Sequence, residues 1–204
     1  MSSIDPLALT GLICSRLCHD LVGPVGAVVN GVELLSDAED DEELREQSLG
    51  LLGDSAAELT ARLNFFRIAF GFADDSSSLG RDEAAEIVAA ALRGRRIQTS
   101  LDGMGTSLTR AEARRLFLLA LIAADCLPRG GRLGLGAGPT ATAEGERCAL
   151  PASHERIIAG DEAEAEARTA PLVLLRHLAA AAGLALSAAS EPGRVVLRLA
   201  PAAS

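Results

Sequence analysis

Chemistry in this chain points first to His19. Asp20 follows it directly, and a carboxylate beside an imidazole favours a basic, oriented ring. Arg16 stands three residues earlier, on roughly the same side of a helix turning about 100° per residue. In that geometry Ile13, Leu17, Leu21, Pro24, Val28, Val32 and Leu35 share one apolar arc. His19 falls opposite, among Ser15, Gly23, Gly26 and Asn30. These neighbours are small or polar, so the imidazole faces solvent on a surface that a second protein can approach closely. Pro24 costs a helix interior about 3 kcal/mol, and each Gly about 1 kcal/mol over Ala. Such defects beside one exposed histidine suggest a shaped site rather than a plain scaffold. Close packing of one helix on another is the competing explanation for Gly23, Pro24 and Gly26.

The rest of the composition removes other chemistries. Among 204 residues there is no Lys, so all 19 basic side chains are Arg. A Schiff-base lysine and a Walker A phosphate loop are therefore excluded. Five Phe with no Trp or Tyr leave little for stacking single-stranded nucleic acid. A net charge of −9 argues against nucleic-acid binding in general. Cys14, Cys18, Cys126 and Cys148 form no C-x-x-C pair, and read as small buried hydrophobes in a reducing cytosol. His154 and His177 have no metal-ligand spacing to each other or to Cys148, so no metal site is expected. No basic segment precedes an apolar run at the N-terminus, so no signal peptide is expected. No apolar stretch reaches the roughly 18 residues of a membrane span.

Two units position these residues. Residues 1–75 carry 14 acidic side chains against 4 Arg, whereas 76–204 are nearly neutral. The first unit reads as a helical hairpin. Asp5-Pro6 caps a helix that runs to about Leu35, Ser36 to Asp41 form an acidic turn, and a second helix spans about Glu42 to Phe70. Residues 73–78 form a polar linker. A lone hairpin leaves apolar surface bare, which predicts pairing with a second copy as a four-helix bundle. The second unit alternates helix and strand: a helix over 80–94, a strand over 96–101, and a helix from the Thr109–Glu112 capping box to about Leu127. A strand over 133–137, a helix over 171–182 stopped by Gly183, and a hairpin over 184–199 follow. Residues 138–165 carry little pattern, with Glu146 to Leu150 a candidate strand. The fold class is α+β, a hairpin followed by a small α/β sandwich with helices on one face.

The string His19-Asp20-Leu21-Val22-Gly23-Pro24-Val25 resembles the phospho-acceptor box of sensor histidine kinases, H-[DE]-L-x-x-P-[LV]. Arg16 to Leu21, Pro24, Ala27 and Gly31 to Leu35 together look like the ChpT histidine phosphotransferase family of alphaproteobacteria, as does Phe66 to Gly71. The likeness covers residues 12–72 closely and is architectural beyond. It implies a homodimeric four-helix bundle flanked by degenerate kinase-like ATPase domains, acting in the cytoplasm without nucleic acid or membrane. Ile122 stands where a kinase carries its Mg²⁺-binding Asn, and no D-x-G-x-G box follows, so no ATP is expected. The implied activity is a relay. His19 takes a phosphoryl group from an aspartate of one receiver domain, in a hybrid histidine kinase, and passes it to a response-regulator receiver. Asp20 holds the ring, and Mg²⁺ comes with the receiver. Arg16 contacts the phosphoryl group or the receiver, with Gly23 and Asn30 as further contact candidates. Arg67 either braces the helix pair or touches the partner. A non-catalytic dimeric adaptor and an ATP-dependent kinase are the alternatives.

Overall fold

A computed structural model describes residues 4–38, 41–71, 78–103 and 105–202. Helix α1 (Pro6–Asp37) and helix α2 (Glu42–Ala69) form the hairpin. The Asp5 carboxylate accepts from the Ala8 amide at 3.0 Å, and Pro6 fills a position that needs no donor. Asp41 caps α2 in the same way through the Leu44 amide, at 3.0 Å. The helices approach closely at Gly31, where a Cβ would lie 2.8 Å from Leu52 Cγ.

The remaining elements are β1 (Ser78–Gly80), α3 (Arg81–Leu92), β2 (Ile97–Asp102), β3 (Ser107–Thr109), α4 (Arg110–Asp125), β4 (Gly131–Gly136) and β5 (Thr140–Glu144). After them come α5 (Ala152–Ile158), α6 (Ala170–Ala181), β6 (Leu184–Glu191) and β7 (Arg194–Pro201). Five strands form one sheet in the order β2-β4-β5-β7-β6. Strands β2 and β4 run parallel, and the other neighbours are antiparallel. The expected capping box starts α4: the Glu112 amide donates to Thr109 Oγ1 at 3.2 Å, and the Thr109 amide to Glu112 Oε2 at 2.8 Å. The helix is buried throughout its second half, packed on Leu133, Leu135, Ala141, Ala143, Val195 and Leu197 of the sheet. Gly183, at φ +69°, ends α6 in the left-handed turn that glycine accepts most readily. The hairpin base joins the same core through Leu9, Phe65, Phe66, Ile68 and Ala69. The rings of Phe65 and Phe117 lie 4.9 Å apart across α2 and α4.

Several expectations need correction. The strand lies at Thr140–Glu144, and Glu146 to Leu150 are a turn and extended chain. Helix α1 continues past Leu35, since the Ser36 hydroxyl donates back to the Val32 carbonyl at 2.9 Å. The linker expected over 73–78 lies outside the described residues, except Ser78, which begins β1. Cys14 and Cys18 are exposed, not buried; Cys126 and Cys148 are buried. Val32, placed on the hairpin seam, is half exposed. It belongs instead to a bare stripe with Val22, Val25 and Val29 on which both exposed cysteines also lie. Among the described residues nothing covers that stripe. Helix α1 is also, by length and composition, long and apolar enough to cross a membrane, with a window of mean hydropathy 1.4.

Candidate functional site

His19 projects from the middle of α1 with its side chain 83% exposed. Its Nδ1 lies 3.1 Å from Asp20 Oδ1. A carboxylate only accepts, so this contact favours the tautomer with its proton on Nδ1, and the Nε2 edge of the ring faces solvent. The other carboxylate oxygen of Asp20 accepts from Arg16 Nε at 2.7 Å. Arg16 then reaches away from the surface. Its Nη1 and Nη2 donate to the two oxygens of Asp125 on α4, at 3.1 and 3.4 Å, and Nη1 also to the Arg168 carbonyl at 3.2 Å. The expected outward role of Arg16 is therefore corrected. The residue shares a side of α1 with His19 only at its Cα, and its long side chain carries the guanidinium into the interior, where it is 7% exposed.

Asp125 is the centre of a cationic ring. Besides Arg16 it accepts from Arg95 Nη2 at 2.9 Å, with Arg168 Nε at 3.9 Å and His154 Nε2 at 3.8 Å. Burial works against its charge, but His154 and the guanidiniums of Arg16 and Arg95 outweigh it and hold the carboxyl well below the usual carboxylate range. At 3.8 Å the His154 ring is beyond hydrogen-bond length, and its Nε2 has no hydrogen-bond partner among the described residues. We therefore attribute the effect chiefly to the guanidiniums in contact. Burial likewise opposes the charge on Arg16, and Asp125 and Asp20 more than restore it.

Pro24 has a second consequence at the site. It has no N–H to give the carbonyl four residues back, which is that of Asp20. Arg62 on α2 supplies the missing donor through Nη1, while its Nη2 pairs with Glu58. The peptide of Asp20 is thus held from α2, and its side chain from α4 by way of Arg16. His19, Asp20, Arg62, Phe65, Arg95 and Arg168 line a cleft of about 850 Å³ between the hairpin and the C-terminal half.

Gly23, Asn30 and Arg67 do not line this cleft. Apart from their chain neighbours and their own helix backbone, a Cβ built on Gly23 or Gly26 meets no atom within 4 Å, so packing against other elements accounts for neither glycine, although Gly23 also suits the position before Pro24. Asn30 is exposed and about 16 Å along the axis from His19 at the helical rise. Arg67 is exposed in the last turn of α2. Sequence reasoning missed Arg62, Arg95, Asp125 and Arg168. Two signals pointed to them: a carbonyl orphaned by Pro24 needs a donor, and a carboxylate in the apolar run from Leu116 to Cys126 needs a cation. His177 pairs with Glu162 at 3.1 Å, remote from this site, and Glu162 also accepts from Arg176 at 2.6 Å. Ile122 is buried in α4.

Three comparisons with known proteins bear on the family. The family model for the histidine phosphotransferase C-terminal domain matches residues 81–194. The chain belongs to the histidine phosphotransferase family. It is 34% identical over 134 residues to the protein phosphotransferase ChpT of Brucella abortus (strain 2308), an alignment spanning 65% of this chain and 62% of that protein. A solved structure described as a bacterial phosphotransferase superposes with a TM-score of 0.81 at 28% identity, covering 98% of both chains.

Proposed function

We propose that the protein relays a phosphoryl group between receiver-domain aspartates through a phosphohistidine at His19. The observation that carries the reading is the ring geometry: Nδ1 is bound by Asp20 at 3.1 Å, and the opposite edge is open to a docking protein. Nε2 attacks the phosphorus of a receiver's acyl phosphate. The N–P bond forms, the P–O bond breaks, and the aspartate leaves as carboxylate. The proton stays on Nδ1, where Asp20 faces the imidazolium that results. The return step at a second receiver reverses the sequence. Mg²⁺ in the receiver neutralises the transferred group, and this chain supplies positioning. Its own residues offer no lysine for nucleotide phosphates, and the Ile122 side chain has no metal-ligating atom, which supports a relay that uses no ATP.

The bare stripe of Val22, Val25, Val29 and Val32 repeats at spacings of three and four residues, as a helix–helix seam does. It supports a homodimer built as a four-helix bundle, in which the stripe of each α1 is covered by the other copy.

The test is transfer of labelled phosphoryl groups from a phosphorylated receiver. Label appears on the wild-type chain and is absent from His19→Ala. Transfer that survives the substitution rejects the assignment. Receiver binding without any transfer identifies an adaptor, and ATP binding by calorimetry identifies a kinase.

A further inference from the structure

We infer that Asp125 and Arg16 are positioning residues for His19, setting its tautomer through Asp20 from inside the C-terminal half. The inference rests on the relay reading of His19. Its basis is one continuous set of contacts: His19 Nδ1 to Asp20 at 3.1 Å, Asp20 to Arg16 at 2.7 Å, and Arg16 to Asp125 at 3.1 Å.

An exposed histidine next to an exposed aspartate would not be held, because both side chains rotate freely in water. Here only the ring is free. The Asp20 carboxylate is planar, so fixing one oxygen on Arg16 aims the other. Arg16 is fixed in turn because its fork is engaged on both edges, with Nε on Asp20 and both Nη atoms on Asp125. Asp125 cannot swing away, since Arg95 holds it at 2.9 Å and it is only 4% exposed. The two carboxylates cannot close on each other without Arg16, and the guanidinium is therefore the link that carries the position of Asp125 to Asp20. A neutral imidazole freed from Asp20 can put its proton on Nε2, which removes the lone pair that attacks phosphorus. Loss of Asp125 is thus felt at an atom it does not touch. The C-terminal half has a task in this chemistry even where it handles no nucleotide.

The experiment uses the full chain with Asp125→Asn and Arg16→Lys. The first removes the charge and keeps the shape; the second keeps the charge and loses the fork. Glu162→Gln breaks another buried ion pair, with Arg176 and His177, and controls for stability alone. Two quantities are measured: the His19 tautomer by nitrogen NMR of labelled histidine, and the single-turnover rate of transfer from a phosphorylated receiver. Wild type and Glu162→Gln hold the proton on Nδ1. Both site variants shift it toward Nε2 and slow transfer about ten- to a hundredfold, the usual size of an outer-shell effect. An unchanged tautomer or rate in the site variants, with His19 still required, overturns the inference and leaves the relay intact. No transfer by wild type overturns the relay, and the tautomer comparison then decides the geometry alone. Should Asp125→Asn fail to fold, Arg16→Lys decides by the same readouts.

Discussion

Three glycines of α1 separate a helix shaped for its own hairpin from one shaped for a visitor. Gly23, Gly26 and Gly31 each cost about 1 kcal/mol in helix propensity relative to Ala. Apart from chain neighbours and the helix's own backbone, a Cβ on Gly23 or Gly26 meets no atom within 4 Å. Gly23→Ala nevertheless gains less, because a Cβ on a helical residue just before Pro24 meets the proline Cδ. Gly26→Ala stabilises the fold by about 1 kcal/mol. For a chain of this length that raises the melting temperature by about 2–4 °C. A Cβ on Gly31 would sit 2.8 Å from Leu52 Cγ and 3.0 Å from Cδ2. That overlap falls on the branch point of the side chain, so Leu52 has to move as a whole. Overpacking of this kind costs about 1–3 kcal/mol. Gly31→Ala therefore gains no stability and loses up to about 2 kcal/mol once the propensity gain is subtracted. Thermal and urea unfolding of the three variants give the comparison, and label transfer from a phosphorylated receiver gives the functional half. Gly26→Ala should be more stable and slower, because in the proposed relay its methyl stands on the face a receiver approaches. A destabilised Gly26→Ala would show that the folded protein already occupies that face. A stabilised Gly26→Ala with undiminished transfer would show that no partner uses it.

Two further outcomes follow from the buried charges and thiols. Asp125 is held below its unfolded value of about 3.9, so its contribution to stability is complete above that pH and is lost as the pH falls toward the folded-state value. Glu112, held down by the Thr109 amide and hydroxyl, has the same sign. Urea midpoints of wild type should fall steeply on acidification below about pH 4, and those of Asp125→Asn less so; parallel profiles refute the assignment. Burial, with Cys148 and Asp125 nearby, pushes the Cys126 thiol up to about 12, so iodoacetamide should reach only Cys14 and Cys18 in the native protein. The proposed dimer predicts that their modification slows as protein concentration rises; labelling of Cys126 before unfolding would contradict its burial.

Local signals carried most of the fold into the sequence. Asp5-Pro6, the Thr109–Glu112 box and Gly183 each act within one helical turn, and each does in the structure what its chemistry predicts. His19 was legible for the same reason, since a helical wheel needs only neighbours. Strand β5 was not legible, because Thr140–Glu144 alternates Thr with Ala and buries the small residue. Alanine gives almost no hydrophobic contrast, and the eye moves to Cys148 and Leu150 instead. Arg16 shows a different failure. A wheel places its Cα on the side of His19, but a side chain of that length chooses its own destination. The choice was made by Asp125, 109 residues away. No window on the sequence spans that distance, and only the odd carboxylate in an apolar helix marked it. The exposed cysteines fail for a third reason: an apolar run shows that a helix has an apolar face, not that anything covers it.

Helix α1 gathers these threads. Leu9, Pro24 and Gly31 face the body of the protein, Val22, Val25, Val29 and Val32 face outward, and His19 stands between the two faces. A helix apolar on two sides averages a high hydropathy, which is why its composition matches that of a membrane span. The charges within it argue for another use of the same surface. Arg16 and Asp20 are spent on each other and on Asp125, inside the folded chain, rather than left for a lipid or a solvent to accommodate. One apolar face is satisfied by α2 and the sandwich, and the other is the face that the proposed dimer would cover. The reactive ring then sits where two requirements meet. In the proposed relay it must be on the outer surface for a receiver to reach Nε2, and it lies within one residue of a carboxylate whose orientation is decided in the core. A single helix that spans the boundary between core and surface meets both, and the proline that frees the Asp20 carbonyl for Arg62 adds a second hold at the point where the ring emerges.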